Sequence, residues 1–473
     1  MNDIKESSST AKNFGFVLGS NILSLIRGVV VSLVIPKILT VEAYGDYKLF
    51  ALYLTYIGLL HFGLIDGICV KYAGKTIEEI GREKLKAFSL LLVIIEIFDF
   101  AVLFSIGMIA FEGTMRVLIC LYALDIPIHN LTSYTQSLMQ ITMSFKRYAF
   151  TNVLSNALQL LGVALLWLLS CMSSIDAVTY IVIFIASEAV VCLLCLILMR
   201  NSILGRCKFD VITREIKDVF SKGVPLLVAG IVGTLVYNLD RQFVSYYFSK
   251  TDYAEYAFAY SMMNLMMTLI TAMSIVLYPS LKRSDYSKMT RLYNKICDGI
   301  SVIIFLLFAF VDLFSMFIRW FLPKYVPALD IFISILPSVV IMCLLHIVIV
   351  NYYKALEITK LYFLLSVFAL IVSFAANYTA MKVFGTMKSL TIATVISCIA
   401  WFGVGDYLIR CKLHLRSQLL WYVIVMTVWY YTAFAIDNTA IRGVLYFVVS
   451  VLLSILFFPS IRHRIISRLK TKK

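Results

Sequence analysis

The feature that most restricts this chain is a succession of long apolar runs. They lie near 14–35, 48–70, 87–110, 116–139, 149–170, 177–199, 223–247, 256–280, 297–318, 329–351, 361–381, 388–409, 418–436 and 441–460. Each is close to the roughly 20 residues that an α-helix needs to cross a bilayer. Barrel strands are excluded, because they alternate in polarity over about ten residues. The sequence is 61% hydrophobic and 15% charged, against about 45–50% and about 25% in soluble domains. A chain this apolar cannot clothe several soluble domains, which removes soluble enzymes, nucleic-acid modules and secreted disulfide scaffolds. The expectation is an all-α integral membrane protein of about fourteen spans. The first run follows a polar leader, Met1 to Asn13, and carries Arg27 without a small-residue cleavage site, so it reads as a retained helix.

The chain carries 42 Lys and Arg against 27 Asp and Glu. Sorted by loop, nine cations fall on one side: Lys37, Lys48, Arg116, Lys250, Arg319, Lys324, Lys382, Lys388 and Arg442. Two more, Arg27 and Arg241, lie inside apolar runs, and the other 31 fall at the termini and in the opposite loops. By the positive-inside rule, both termini are expected in the cytoplasm. The basic excess is thus a topology signal and removes nucleic acid as a partner. The ten cysteines sit mostly within apolar runs, and Cys192 and Cys195 have no His or further Cys beside them. No metal or cofactor is expected.

An internal repeat adds organisation. Gly19-Ser20-Asn21-Ile22-Leu23-Ser24-Leu25-Ile26-Arg27 aligns with Gly233-Thr234-Leu235-Val236-Tyr237-Asn238-Leu239-Asp240-Arg241 at an offset of 214 residues. The expected organisation is a six-helix half over 1–205, a second over 206–410, and two extra helices with a basic tail over 411–473. Parallel repeats of this kind are a transporter design, with the substrate path between the halves.

Charges at membrane depth are costly and normally face a wet interior or a partner. Ser20, Ser24 and Arg27 follow i, i+4, i+7 and share one face, and Thr234, Asn238 and Arg241 repeat the stripe. One arginine from each half facing a common cavity would make an anion site, and the planar guanidinium fork suits phosphate oxygens. The alternative is that each arginine pairs internally and fixes helix packing. Candidates for ion coupling are Asp66, Asp240 and the i, i+4 pair Asp125 and His129. His61 and Asp66 fall on different faces of a continuous helix and are not expected to act together. Glu96, Asp99, Glu188, Asp312 and His346 are further polar residues within apolar runs. Tyr237 and Tyr260 are open to two readings, stacking on sugars or packing between helices.

Several short motifs carry a resemblance. Gly223-Val224-Pro225-Leu226-Leu227, Asn238-Leu239-Asp240-Arg241, Tyr256-Ala257-Phe258-Ala259-Tyr260 and Tyr278-Pro279-Ser280-Leu281 are among them. So are Ile35-Pro36-Lys37-Ile38-Leu39, Tyr44-Gly45-Asp46-Tyr47 and Pro323-Lys324-Tyr325-Val326-Pro327-Ala328. Together they resemble polysaccharide-exporting flippases, the Wzx-type members of the multidrug/oligosaccharidyl-lipid/polysaccharide (MOP) exporter superfamily. The resemblance implies two lobes, alternating access, and an oligosaccharide on undecaprenyl pyrophosphate moved between leaflets of a bacterial cytoplasmic membrane. It implies membrane lipids and a coupling cation, H+ or Na+, as partners, and a monomer is expected. A lipid II flippase and a MATE-type multidrug exporter remain alternatives. A membrane polymerase or ligase is disfavoured, because the outward loops are too short for a catalytic domain.

Overall fold

The computed structural model describes residues 2–205, 210–282, 286–356 and 358–458. The linker positions Arg206 to Phe209 and the basic tail from Arg462 to Lys473 lie outside the described residues. Every apolar run lies on a helix or on consecutive helices, and no strand occurs among the described residues. Nine of the described helices are long and apolar enough to cross a membrane, and a tenth span is broken. The chain clusters into two compact units, Met1–Thr234 and Leu235–Lys473.

The first unit contains α1 (Asn2–Ile38), α2 (Val41–Leu54), α3 (Leu64–Tyr72), the single turn α4 (Ile77–Ile80), α5 (Arg82–Ala110), α6 (Gly113–Ile141), α7 (Phe145–Ser170), α8 (Ala177–Ile203) and the first part of α9 (Asp210–Tyr247). The run at 48–70 is not one helix. It bends by 54° between α2 and α3. Thr55 turns its hydroxyl back onto the Leu52 carbonyl at 2.6 Å, and Phe62 and Gly63 have positive φ of 50° and 82°. Apolar composition cannot reveal this break, because every residue in it except His61 and Thr55 suits a bilayer.

Glycines then let α3 touch α9 backbone to backbone. A Cβ at Gly63 would lie 2.7 Å from the Gly223 carbonyl carbon, and one at Gly67 would overlap the Val219 carbonyl. Such small-xxx-small contacts are how helices approach closely in lipid, where no hydrophobic force drives them together. At the end of this contact, Glu215 meets Lys84 at 2.5 Å and Lys71 at 3.4 Å, while Asp218 meets Lys71 at 2.8 Å. The intervening loop is closed by a capping box at Thr76 and Glu79. There the Thr76 backbone N–H holds the Glu79 carboxyl below its ordinary pKa.

The second unit holds the end of α9, α10 (Lys250–Lys282), α11 (Tyr286–Leu307), α12 (Val311–Phe321), α13 (Ala328–Ile335), α14 (Pro337–Cys343), α15 (Val350–Ala355), α16 (Thr359–Val383), α17 (Met387–Leu413), α18 (Leu419–Phe434) and α19 (Thr439–Phe457). Helices α13 to α15 form one interrupted span with a π-helical turn at Leu344–Ile349. This span is buried on nearly all sides and forms the middle of the unit. The last two helices are built into it by tyrosines: Tyr430 donates to the Ile333 carbonyl at 2.9 Å, and Tyr446 to that of Phe305 at 3.0 Å. Buried phenols need such acceptors, and each one here fixes a helix pair.

Candidate functional site

The polar stripe of α1 lies against a matching stripe on α7. Asn152 donates to the Ser20 hydroxyl at 3.3 Å, Asn156 to that of Ser24 at 2.9 Å, and Arg27 to the Gln159 side-chain oxygen at 2.6 Å. All three pairs are separated by 132 residues. A constant separation means the helices run parallel and in register, so i, i+4, i+7 on one meets i, i+4, i+7 on the other. Ser20 and Ser24 are therefore committed to the helix pair. Arg27 is only partly so: it is half-buried, its one hydrogen-bond partner among the described residues is a neutral amide, and its buried Nε has none. Among the described residues no carboxylate pairs with it. The sequence carried the α7 half of this stripe too, but amides at helical spacing in an apolar run have no charge to draw attention.

On α9 the repeated stripe is held differently. Arg241 donates to the Asn238 side-chain oxygen and lies over the Tyr260 ring, 4.7 Å from its centre, while its Nε has no partner. Thr234 turns back onto the Gly230 carbonyl at 3.0 Å. At the repeat offset, Gln159 corresponds to Ser373, which is too short to reach an arginine and instead accepts from Asn377. Asp240, fully enclosed, accepts from Tyr256 at 2.8 Å, from Tyr260, and from Thr394 at 2.9 Å. Those contacts bind α9, α10 and α17 together. Tyr260 is thus a packing residue, and Tyr237 stacks on His346 with ring centres 4.9 Å apart.

A second polar group occupies the first unit. Asn130 on α6 donates to both Glu96 oxygens at 3.0 and 3.1 Å and to the Ile57 carbonyl at 3.3 Å. His129 meets Glu188 of α8, with Nδ1 and Oε2 3.2 Å apart. Glu188, which spacing alone did not select, thus joins the Asp125–His129 pair. The break after α2 corrects the separation of His61 from Asp66: His61 Nε2 lies 3.9 Å from an Asp66 oxygen. A continuous helix would have turned these two residues apart, whereas the left-handed backbone at Phe62 and Gly63 folds them together.

Residues 34–322, well over half of the chain, match the family described as polysaccharide biosynthesis protein. The chain belongs to this family. Its fold is that of the MOP superfamily of membrane transporters. A lipid II flippase, MurJ, in an inward-closed conformation superposes with a TM-score of 0.68 at 15% identity, over 96% of this chain and 99% of that one. An inward-facing MATE-family multidrug transporter gives 0.65 at 13% identity, over 84% and 94%. A MATE transporter from Vibrio cholerae gives 0.53 at 14% identity, over 88% and 100%. At these identities the likeness shows the fold alone. No curated protein sequence matches the chain.

Proposed function

We propose that the chain moves an oligosaccharide on undecaprenyl pyrophosphate from the inner to the outer leaflet of a bacterial cytoplasmic membrane by alternating access. The product would serve a surface polysaccharide such as O-antigen or capsule. In this reading 1–205 and 206–410 are the two lobes, 411–473 is appended to the second, and both termini are cytoplasmic. The observation that carries it is the state of Arg27. A guanidinium at membrane depth is expensive, yet this one is held by a neutral amide with Nε unpartnered. Its full positive charge is left for an anion, and a pyrophosphate cannot cross hydrocarbon without such a partner. Arg241, held by an amide and a ring, is its counterpart in the second half.

Of the acids considered for ion coupling, Asp240 is engaged by three hydroxyls. Asp66 with His61 is the pair we assign to the coupling cation, H+ or Na+, because the Asp66 side chain remains 34% exposed. The test is export of surface polysaccharide. Arg27→Ala and Arg241→Ala each abolish it at normal protein level and insertion, and lysine at either site restores part, keeping charge without the fork. Full export by both alanine variants overturns the reading. A lipid II flippase is the second reading, favoured by the near-complete fold match. Rescue of cells depleted of their own lipid II flippase would select it.

A further inference from the structure

We propose that Asp125, His129 and Glu188 form a binding site for one divalent transition-metal ion of the zinc or manganese class. Asp125 and His129 are four residues apart on α6 and share a face. Glu188 faces them from α8, which packs along α6. One ligand atom from each lies within 4.8 Å of the other two. An ion bound at about 2.0–2.2 Å from nitrogen and oxygen ligands needs only small side-chain rotations to take all three.

The observation that asks for a ligand is Asp125. Its exposure is 0%, and neither carboxylate oxygen has a hydrogen-bond partner. A buried carboxylate takes up a proton, finds a partner or binds a metal, because an isolated charge is too costly to keep in a low dielectric. The surroundings worsen the cost. Glu96 and Asp99 face the group from α5, Glu188 from α8, and His61 and Tyr122 complete the titratable neighbours. No Lys or Arg pairs with any of these acids among the described residues. The Asp99 Oδ2 is likewise buried without a donor.

The donor set chooses the ion. Imidazole suits zinc and its transition-metal neighbours, carboxylates and water also take manganese, and two carboxylates balance a charge of two. The His129 side chain is 40% exposed, which leaves room for water in the open coordination positions. The Glu96–Asn130 pair lies next along α6, where hydrogen bonds hold the helix face in place. A bound ion would clamp α6 to α8. This site is independent of the arginines and of the transported substrate.

The experiment uses the full chain in lipid nanodiscs, stripped with a chelator and titrated with Co2+. The expected result is one Co2+ per chain, with a visible ligand-field absorption, a raised melting temperature, and displacement by Zn2+. Asp125→Asn and Glu188→Gln each weaken binding at least tenfold, while Glu78→Gln, at an exposed acid on α4, leaves it unchanged. Should Asp125→Asn fail to fold, Glu188→Gln and the unsubstituted protein with and without chelator decide the matter. If folded protein shows neither absorption nor a melting shift with millimolar Co2+, Zn2+ or Mn2+, the proposal is overturned and Asp125 is held by a proton alone. Binding that survives in both variants overturns it equally, since the ion would then sit elsewhere.

Discussion

Whether Arg27 serves transport or only helix packing can be decided at its partner. Gln159→Leu removes the 2.6 Å bond between the guanidinium and the amide oxygen but keeps the charge. Such a charge-assisted bond contributes about 1.5–3 kcal/mol when buried. Arg27 is half-exposed, and on the proposed reading that open side faces a wet transport path, so water replaces the lost acceptor and the cost falls to about 1 kcal/mol. Arg27→Ala removes the same bond and strands the buried Gln159 oxygen, at about 1–3 kcal/mol. The two variants therefore differ little in stability. They differ sharply in transport if the fork holds a pyrophosphate, because losing a contact of about 3 kcal/mol slows flux on the order of 100-fold. The assay is appearance of lipid-linked oligosaccharide in the outer leaflet of proteoliposomes, with melting temperatures measured on the same preparations. Gln159→Leu is expected to stay within about threefold of the unsubstituted protein, a difference of under about 0.7 kcal/mol. Equal loss of transport in both variants at matched melting temperature would refute the anion role and make the arginine a packing residue.

Other perturbations read the fold. Gly67→Ala drives a methyl into the Val219 carbonyl and should cost about 1–3 kcal/mol, seen as a lower melting temperature. Asp240→Asn exchanges one acceptor oxygen for a donor facing hydroxyls, and should cost about 2 kcal/mol, with Tyr256→Phe near half of that. Asp406 and Arg410 form a buried pair at 2.6 Å, with side chains only 6% and 8% exposed. Asp406→Ala alone should cost about 3–5 kcal/mol by stranding the arginine, whereas Asp406→Leu with Arg410→Met should cost far less, by calorimetry. A larger loss in the double variant than in the single one would contradict this account.

Helical class, the spans and the repeat are local properties, and the sequence determines them. Hydropathy over twenty residues marks a span whatever it packs against. The i, i+4, i+7 spacing places Ser20, Ser24 and Arg27 on one face before any partner is known. What pairs with that face was not legible. Asn152, Asn156 and Gln159 lie 132 residues away and carry no charge that would single them out. Nor was the matching stripe in the second half a reliable guide, because the partner position holds a serine and the arginine rests on an amide and a ring instead. The break at 55–63 depends on two left-handed residues and on a glycine contact with α9, neither of which hydropathy registers. That break alone brings His61 to Asp66. Periodicity gave the Asp125–His129 pair, but only the packing of α8 on α6 supplies Glu188 and leaves the Asp125 carboxylate without a donor. The spacing of residues along a helix fixes which side chains can act together on one face. Only tertiary packing decides which of them are already satisfied and which are left waiting for a ligand.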